Sequence, residues 1–207
     1  YSSPNKDANL PGGMHVLPGK YLVAIEYGEN SSEQEILVKA DVRSDFDSDG
    51  YSKRMDLYAQ HQKTINAASA GFARLRDAQG LIAVVNTMMI NADDSSKAEI
   101  EKEGKRVNDS IKAIMALYTT PKDFVGYDHV TVRLNNKLQM ASGYLNNGNG
   151  APSQMALVSV LQAKTETEKI IEKINGFYEG QWKNYKQLVE QKQVDGVKEL
   201  SPVKIEE

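Results

Sequence analysis

The stretch 51-YSKRMDLYAQHQKTINAASAGFARLRDAQGLIAVVNTMM-89 decides the fold, because its apolar residues repeat with a helical period along its whole length. Tyr58, Ile65 and Phe72 recur every seven positions, interleaved with His61, Ala68, Leu75, Ile82 and Met89. Side chains three, four and seven positions apart share one face of an α-helix. The pattern predicts one long amphipathic helix from Tyr51 to near Ile90. Gly71 and Gly80 interrupt it at about 1 kcal/mol each relative to Ala, and predict close helix contacts or kinks.

Working outward, a second helix is predicted after Ser96, whose hydroxyl caps the first turn while Glu99 reaches back. Its stripe is Ile100, Val107, Ile111, Ile114 and Tyr118, and Thr120-Pro121 stops it. A third helix carries Leu134, Leu138, Ala141 and Leu145, and ends at Asn146-Asn147-Gly148-Asn149-Gly150, where positive φ is accessible. A fourth starts around Pro152, presents Leu157, Leu161, Ile171, Ile174, Tyr178, Trp182, Tyr185 and Leu188, and runs to about Gln193. Gly176 and Gly180 lie inside it. Four amphipathic helices with short connections predict an antiparallel four-helix bundle with two long helices.

In the other direction the chain changes character. Tyr1 to about Gly19 is rich in Pro, Gly and Asn and reads as irregular. Tyr21–Tyr27 and Gln34–Ala40 are β-rich runs around the turn residues Gly28-Glu29-Asn30-Ser31, which together predict a hairpin. An isolated hairpin is marginal in water, so this one needs further strands from upstream sequence or a helical surface to pack on. The predicted fold class is α+β, mainly α: an N-terminal β hairpin or partial β-sandwich, then the bundle. Residues 1–44 form the irregular segment and β unit, 45–195 the bundle and 196–207 a tail.

With 207 residues, the chain is long enough for one substantial core. A formal charge of −3, with acidic and basic residues dispersed, excludes an electrostatic footprint for nucleic acid. The absence of cysteine removes disulfides, thiolate metal sites and cysteine nucleophiles. No apolar run approaches the roughly 20 residues a membrane span needs. The start, Tyr1-Ser2-Ser3-Pro4-Asn5, lacks a signal pattern, so any export signal is expected upstream.

The sharpest local motif is Asp45-Phe46-Asp47-Ser48-Asp49-Gly50, with Tyr51 next and Asp56 at the twelfth position. It resembles an EF-hand calcium loop: carboxylates at alternate positions converge on a hard cation, glycine permits a sharp turn, and the Tyr51 carbonyl supplies a further oxygen. Asp45, Asp47, Asp49, Tyr51 and Asp56 are therefore the candidate Ca2+ ligands. Against this, a strand precedes the loop, Ser52 replaces an apolar residue and Asp56 is shorter than the customary glutamate. The competing reading is an acidic turn whose aspartates cap a helix N-terminus. His15, His61 and His129 are far apart, and His61 lies on an apolar stripe, as a hydrogen-bonded core histidine would. No nucleophile elbow, zinc-protease motif or phosphate loop occurs, so no catalytic residue is assigned. A hydrolase with an unfamiliar carboxylate pair would need a concave pocket holding perturbed acids. Phe177, Tyr178, Trp182 and Tyr185 form either a ligand platform or, as their helical spacing favours, bundle core.

Pro18-Gly19-Lys20-Tyr21-Leu22-Val23, together with Val38-Lys39-Ala40-Asp41-Val42-Arg43, is similar to a family-specific β unit. It resembles the C-terminal region of BNR-repeat, sortilin-like glycosyl hydrolase-related proteins of Bacteroidetes-type bacteria, in which such a strand closes an immunoglobulin-like unit and a helical segment follows. Val42 replaces the usual proline. The resemblance implies an exported protein, in the periplasm or at the cell surface. It also implies that any hydrolase activity belongs to an upstream propeller absent from this sequence. The expected role is then a noncatalytic accessory or scaffolding module whose partners are upstream domains of the same polypeptide. The alternative is a calcium-stabilised module that binds a protein or glycan through a helix face.

Overall fold

The predicted hairpin forms, with a tighter turn than expected: β1 (Gly19–Tyr27) pairs antiparallel with β2 (Asn30–Val38), Gly19 opposite Val38 and Tyr27 opposite Asn30, so that Asn30 and Ser31 belong to the second strand rather than to the turn. Gly28, at φ +60°, supplies the left-handed backbone that a two-residue hairpin turn requires. The computed structural model describes residues 16–43, 45–89, 92–121, 124–126 and 132–192. The predicted irregular start up to residue 15 and the predicted tail lie outside these.

Four helical stretches follow the hairpin, the predicted α+β, mainly α order. They are α1 (Ser48–Met88), α2 (Asp94–Met115), α3 (Leu134–Asn146), and α4 (Gln154–Phe177), which continues through a π-helical turn (Tyr178–Trp182) into α5 (Lys183–Gln191). Starts and stops have local causes. The Asp47 carboxylate accepts from Gly50 N at 2.9 Å and opens α1, and the Ser153 hydroxyl accepts from Ala156 N at 3.2 Å to open α4. At α2 the cap differs from expectation: Asp93 accepts from Ser96 N at 3.0 Å, so Ser96 is buried inside the first turn rather than capping it. Gly148, at φ +111°, takes the left-handed conformation expected after α3.

The chain forms two compact units, one of residues up to His61 with Ala141–Val160, the other of Gln62–Met140 with the residues from Leu161 onward. In the second unit, the core line of α1 is Thr64, Ala68, Gly71, Leu75, Ala78 and Ile82, alternating steps of three and four as in a coiled-coil seam. Phe72 and Ile65 flank it half-buried. Two tyrosines fit glycine notches in this unit: a methyl on Gly71 would lie 2.9 Å from the Tyr118 hydroxyl, and one on Gly104 3.4 Å from that of Tyr185. Gly71 is thus one of the close helix contacts its position predicted, whereas Gly80, Gly176 and Gly180 have open space in place of a side chain.

The step from α2 to α3 is a continuation. Leu134 N and Asn135 N donate to the carbonyls of Leu117 and Tyr118, and Arg133 Nη1 to that of Ala116 at 2.8 Å. The last carbonyls of α2 accept from the turn that follows it, Lys112 O from Ala116 N, Ile114 O from Leu117 N and Met115 O from Tyr118 N, and the carbonyls of that turn are themselves satisfied by the residues that open α3.

The stripe of α3 is as predicted: Leu134, Leu138, Ala141 and Leu145 are all buried. That of α4 is not. Ala156, Ser159, Val160 and Ala163 face the core, while Leu157 and Leu161 are 43% and 63% exposed. With about 100° per residue, the larger side chains stand on the opposite face of the helix from the small ones. Further along, Thr167, Ile170, Ile174 and Phe177 are buried, and the π turn shifts the phase so that Tyr185 is buried next.

Candidate functional site

The acidic motif opens α1. Asp47 spends Oδ1 on Gly50 N and its carbonyl on Tyr51 N, at 2.9 Å each. Asp49 lies in the first helical turn, where a negative charge complements the helix dipole, and Asp56 lies two turns further along. Tyr51 is buried against Phe46, ring centroids 5.5 Å apart, and its carbonyl belongs to the helical ladder. Asp45 is exposed. Among the described residues no group of three or more His, Asp or Glu side chains converges as a metal site. Gly50 has a packing reason: a methyl there would overlap the Asp47 carboxylate and come within 2.5 Å of Ala151 N.

One turn beyond the motif, Arg54 is 3% exposed and holds the loop between α3 and α4. Its Nε donates to Gly150 O, Nη1 to Leu145 O and Asn147 O, and Nη2 to Ala151 O, all at 2.8 Å. Nη1 also lies 3.4 Å from Tyr144 O. The Tyr144 and Leu145 carbonyls belong to the negative end of α3, which favours a cation there, and those of Asn147, Gly150 and Ala151 to the loop that follows. Gly148 keeps the loop close, since a methyl on it would reach 3.0 Å from Nη2. Nothing in the local pattern at position 54 announced this clasp, because every acceptor is far away in sequence.

His61 is fully buried, with Nε2 3.0 Å from the Ser142 hydroxyl, the hydrogen-bonded core histidine its stripe predicted. His15 and His129 lie outside the described residues. The aromatic cluster divides: Phe177 and Tyr185 are core, whereas Tyr178 and Trp182 are half-buried. The latter two line a cleft of about 330 Å³ with Arg74, Asp77, Ala78 and Leu81. Tyr178 donates to Arg74 O at 2.6 Å; its hydroxyl pKa is raised by burial, an effect opposed by the Arg74 charge and reinforced by Asp77. A second cleft, of about 300 Å³, is lined by α1 residues including Phe72 and Arg76, with Tyr118, Asn135 and Leu138. It contains no carboxylate, and the first contains Asp77 alone.

Among the described residues three carboxyls have shifted pKa values, and all are held low: Glu166 by its hydrogen bond to Lys137, Asp93 by Ser96 and Asp41 by Arg43. A general acid needs the opposite shift. No helix among the described residues is long and apolar enough to cross a membrane.

The hairpin presents a different kind of surface. Tyr21, Val23, Ile25 and Tyr27 alternate onto one face with their opposite numbers Ile36 and Gln34. The other face carries Lys20, Glu26, Glu33 and Glu35 interspersed with Leu22, Ala24 and Leu37, with Lys20 and Glu35 paired at 3.0 Å. No hairpin residue is buried; Ile25 is 68% and Tyr27 84% exposed.

No family model, no curated protein and no solved structure matches this chain.

Proposed function

We propose that the chain is a noncatalytic accessory or scaffolding module, joined through its hairpin to a β-structured domain of a larger exported glycosyl hydrolase-related polypeptide. The observation that carries this reading is the open apolar face of the hairpin. A two-stranded ribbon with an apolar face gains independent stability only when more strands or a helix cover that face. The resemblance at Pro18–Val23 and Val38–Arg43 supplies the expected cover, an upstream immunoglobulin-like unit, and with it the extracytoplasmic location. Amide hydrogen exchange over β1 and β2 tests the proposal, comparing this chain with a longer polypeptide that includes the upstream domain. Protection that rises in the longer protein supports docking through the hairpin; equal protection in both sinks it.

A second reading, a calcium-stabilised module that binds a protein or glycan, draws on the large apolar side chains that α4 turns outward, since contiguous exposed apolar surface marks interaction sites. Its metal component is tested by thermal unfolding with and without calcium. A calcium-dependent rise in Tm that Asp47→Ala plus Asp49→Ala abolishes would establish the ion by mass action; no rise in the unmodified chain eliminates it.

A further inference from the structure

Within the unit formed by residues up to His61 and Ala141–Val160, two apolar surfaces stand open. One is the hairpin face of Val23, Ile25, Tyr27 and Ile36; the other is Met155, Leu157 and Val158 on the first turns of α4. We infer that these two surfaces are each other's partner, the hairpin closing over the outward face of α4. This rests on the docking reading in one respect, that the hairpin's apolar face is a binding surface, and adds what that face binds in this chain by itself.

The pattern on α4 is the first argument. Its core side is built from Ala156, Ser159 and Val160 while its bulkier aliphatic side chains point away. A helix apolar on both faces is one that is covered on both.

Reach is the second. Lys39 to Phe46 join β2 to the cap residue Asp47, a tether of up to about 27 Å when extended. Its far end is fixed beside the start of α4, where Gly50 adjoins Ala151 N and Asp47 adjoins Gly150. Val158 follows Gln154 by about 6 Å along the helix, well inside that reach.

Area identifies the occupant as the chain's own hairpin. Two nine-residue strands present a face of about 300 Å² at ordinary strand rise and spacing. A symmetric pair of such faces would bury about 600 Å², roughly half of what a stable free interface requires. A tether raises the effective concentration to the millimolar range, where so small a surface suffices.

The chain contains no cysteine, so engineered pairs report on this contact alone. Ile25→Cys with Val158→Cys is compared with Glu33→Cys with Val158→Cys, the second placing its thiol on the polar hairpin face. The expected result under mild oxidation of dilute protein is an intramolecular bridge forming at least about five-fold faster for the Ile25 pair, and slowed when Leu157→Asn is added. Equal rates from both faces, no bridging, or bridges only between molecules would overturn the inference. This measurement uses the present chain alone and the exchange comparison needs the longer polypeptide, so closure and docking fail independently.

Discussion

The hairpin and α1 are equally regular in pattern and opposite in fate. In β1 Tyr21, Val23, Ile25 and Tyr27 share one face, with Leu22 and Ala24 on the other, and the α1 seam steps by three and four, yet Ile25 and Tyr27 are exposed while His61, Ala68 and Leu75 are buried. Amphipathic periodicity states which residues share a face. Whether that face stabilises anything depends on a surface to cover it, and burial rather than pattern yields the hydrophobic free energy. Stability should therefore reside mainly in the helices and their loop clasps, with the hairpin contributing only what its closure over α4 buries.

The strongest way to challenge that contrast is Arg54→Met. It leaves the carbonyls of Leu145, Asn147, Gly150 and Ala151 without their donor, and we expect a loss of about 3–5 kcal/mol in denaturant unfolding. Arg54→Lys should recover little, because an ammonium lacks the guanidinium fork. A loss below about 1 kcal/mol would show that the clasp is not where stability lies.

Next in size is Gly71→Ala, where the new methyl would meet the Tyr118 hydroxyl at 2.9 Å and Ile174 Cδ1 at 3.0 Å. We expect a cost of about 1–2 kcal/mol after the gain in helix propensity is counted. Neither the Tyr118 nor the Tyr185 hydroxyl has a hydrogen-bond partner among the described residues, and burial raises the pKa of both. Tyr118→Phe should consequently be neutral or slightly stabilising and should relieve part of the Gly71→Ala cost. Additive effects in the double-mutant cycle would refute the notch.

Asp47→Ala should lower stability by about 1 kcal/mol through loss of the cap, measured with a chelator present so that calcium plays no part. An unchanged midpoint under those conditions would return Asp47 to the pool of free ligands.

A smaller term comes from Glu166, whose carboxylate accepts from Lys137 Nζ at 3.0 Å and has its pKa lowered chiefly by that bond. A lowered folded pKa means stability fully present above the unfolded value and lost as pH falls through the folded one. At most about 1 kcal/mol should disappear across that acidic window, and Glu166→Gln should flatten the corresponding part of the stability–pH curve.

The smallest expected effect is that of Glu35→Gln, which loses only the exposed pair with Lys20 and should move the unfolding of the helices by less than about 0.5 kcal/mol. A larger shift would erase the distinction between hairpin and helices.

Much of this was legible in the residues. The stripe of α3, the buried His61, the hairpin with Gly28 at its turn and the helix start around Ser48–Tyr51 all follow from local chemistry acting over a few positions. The failures have a common cause. At α4, Leu157 and Leu161 satisfy a helical spacing as well as Ala156, Val160 and Ala163 do, and when both faces are apolar the period does not say which one meets the core. At α2, Asp93 and Ser96 are both good caps, and the carboxylate is the one that reaches the free N–H at the helix end. The acidic motif has the composition of both a cation loop and a helix cap, and in the fold the Asp47 carboxylate accepts from Gly50 N as a cap does.

By itself, then, the sequence determined the kinds of elements, their order and most of their core faces, because these depend on interactions between residues close along the chain. Tertiary structure alone decided the clasp of Arg54 on the α3–α4 loop, the tyrosines set into Gly71 and Gly104, and the outward turn of the bulky residues on α4. Each of these depends on groups brought together from distant positions, where packing space and unsatisfied carbonyls, rather than spacing, select the partner.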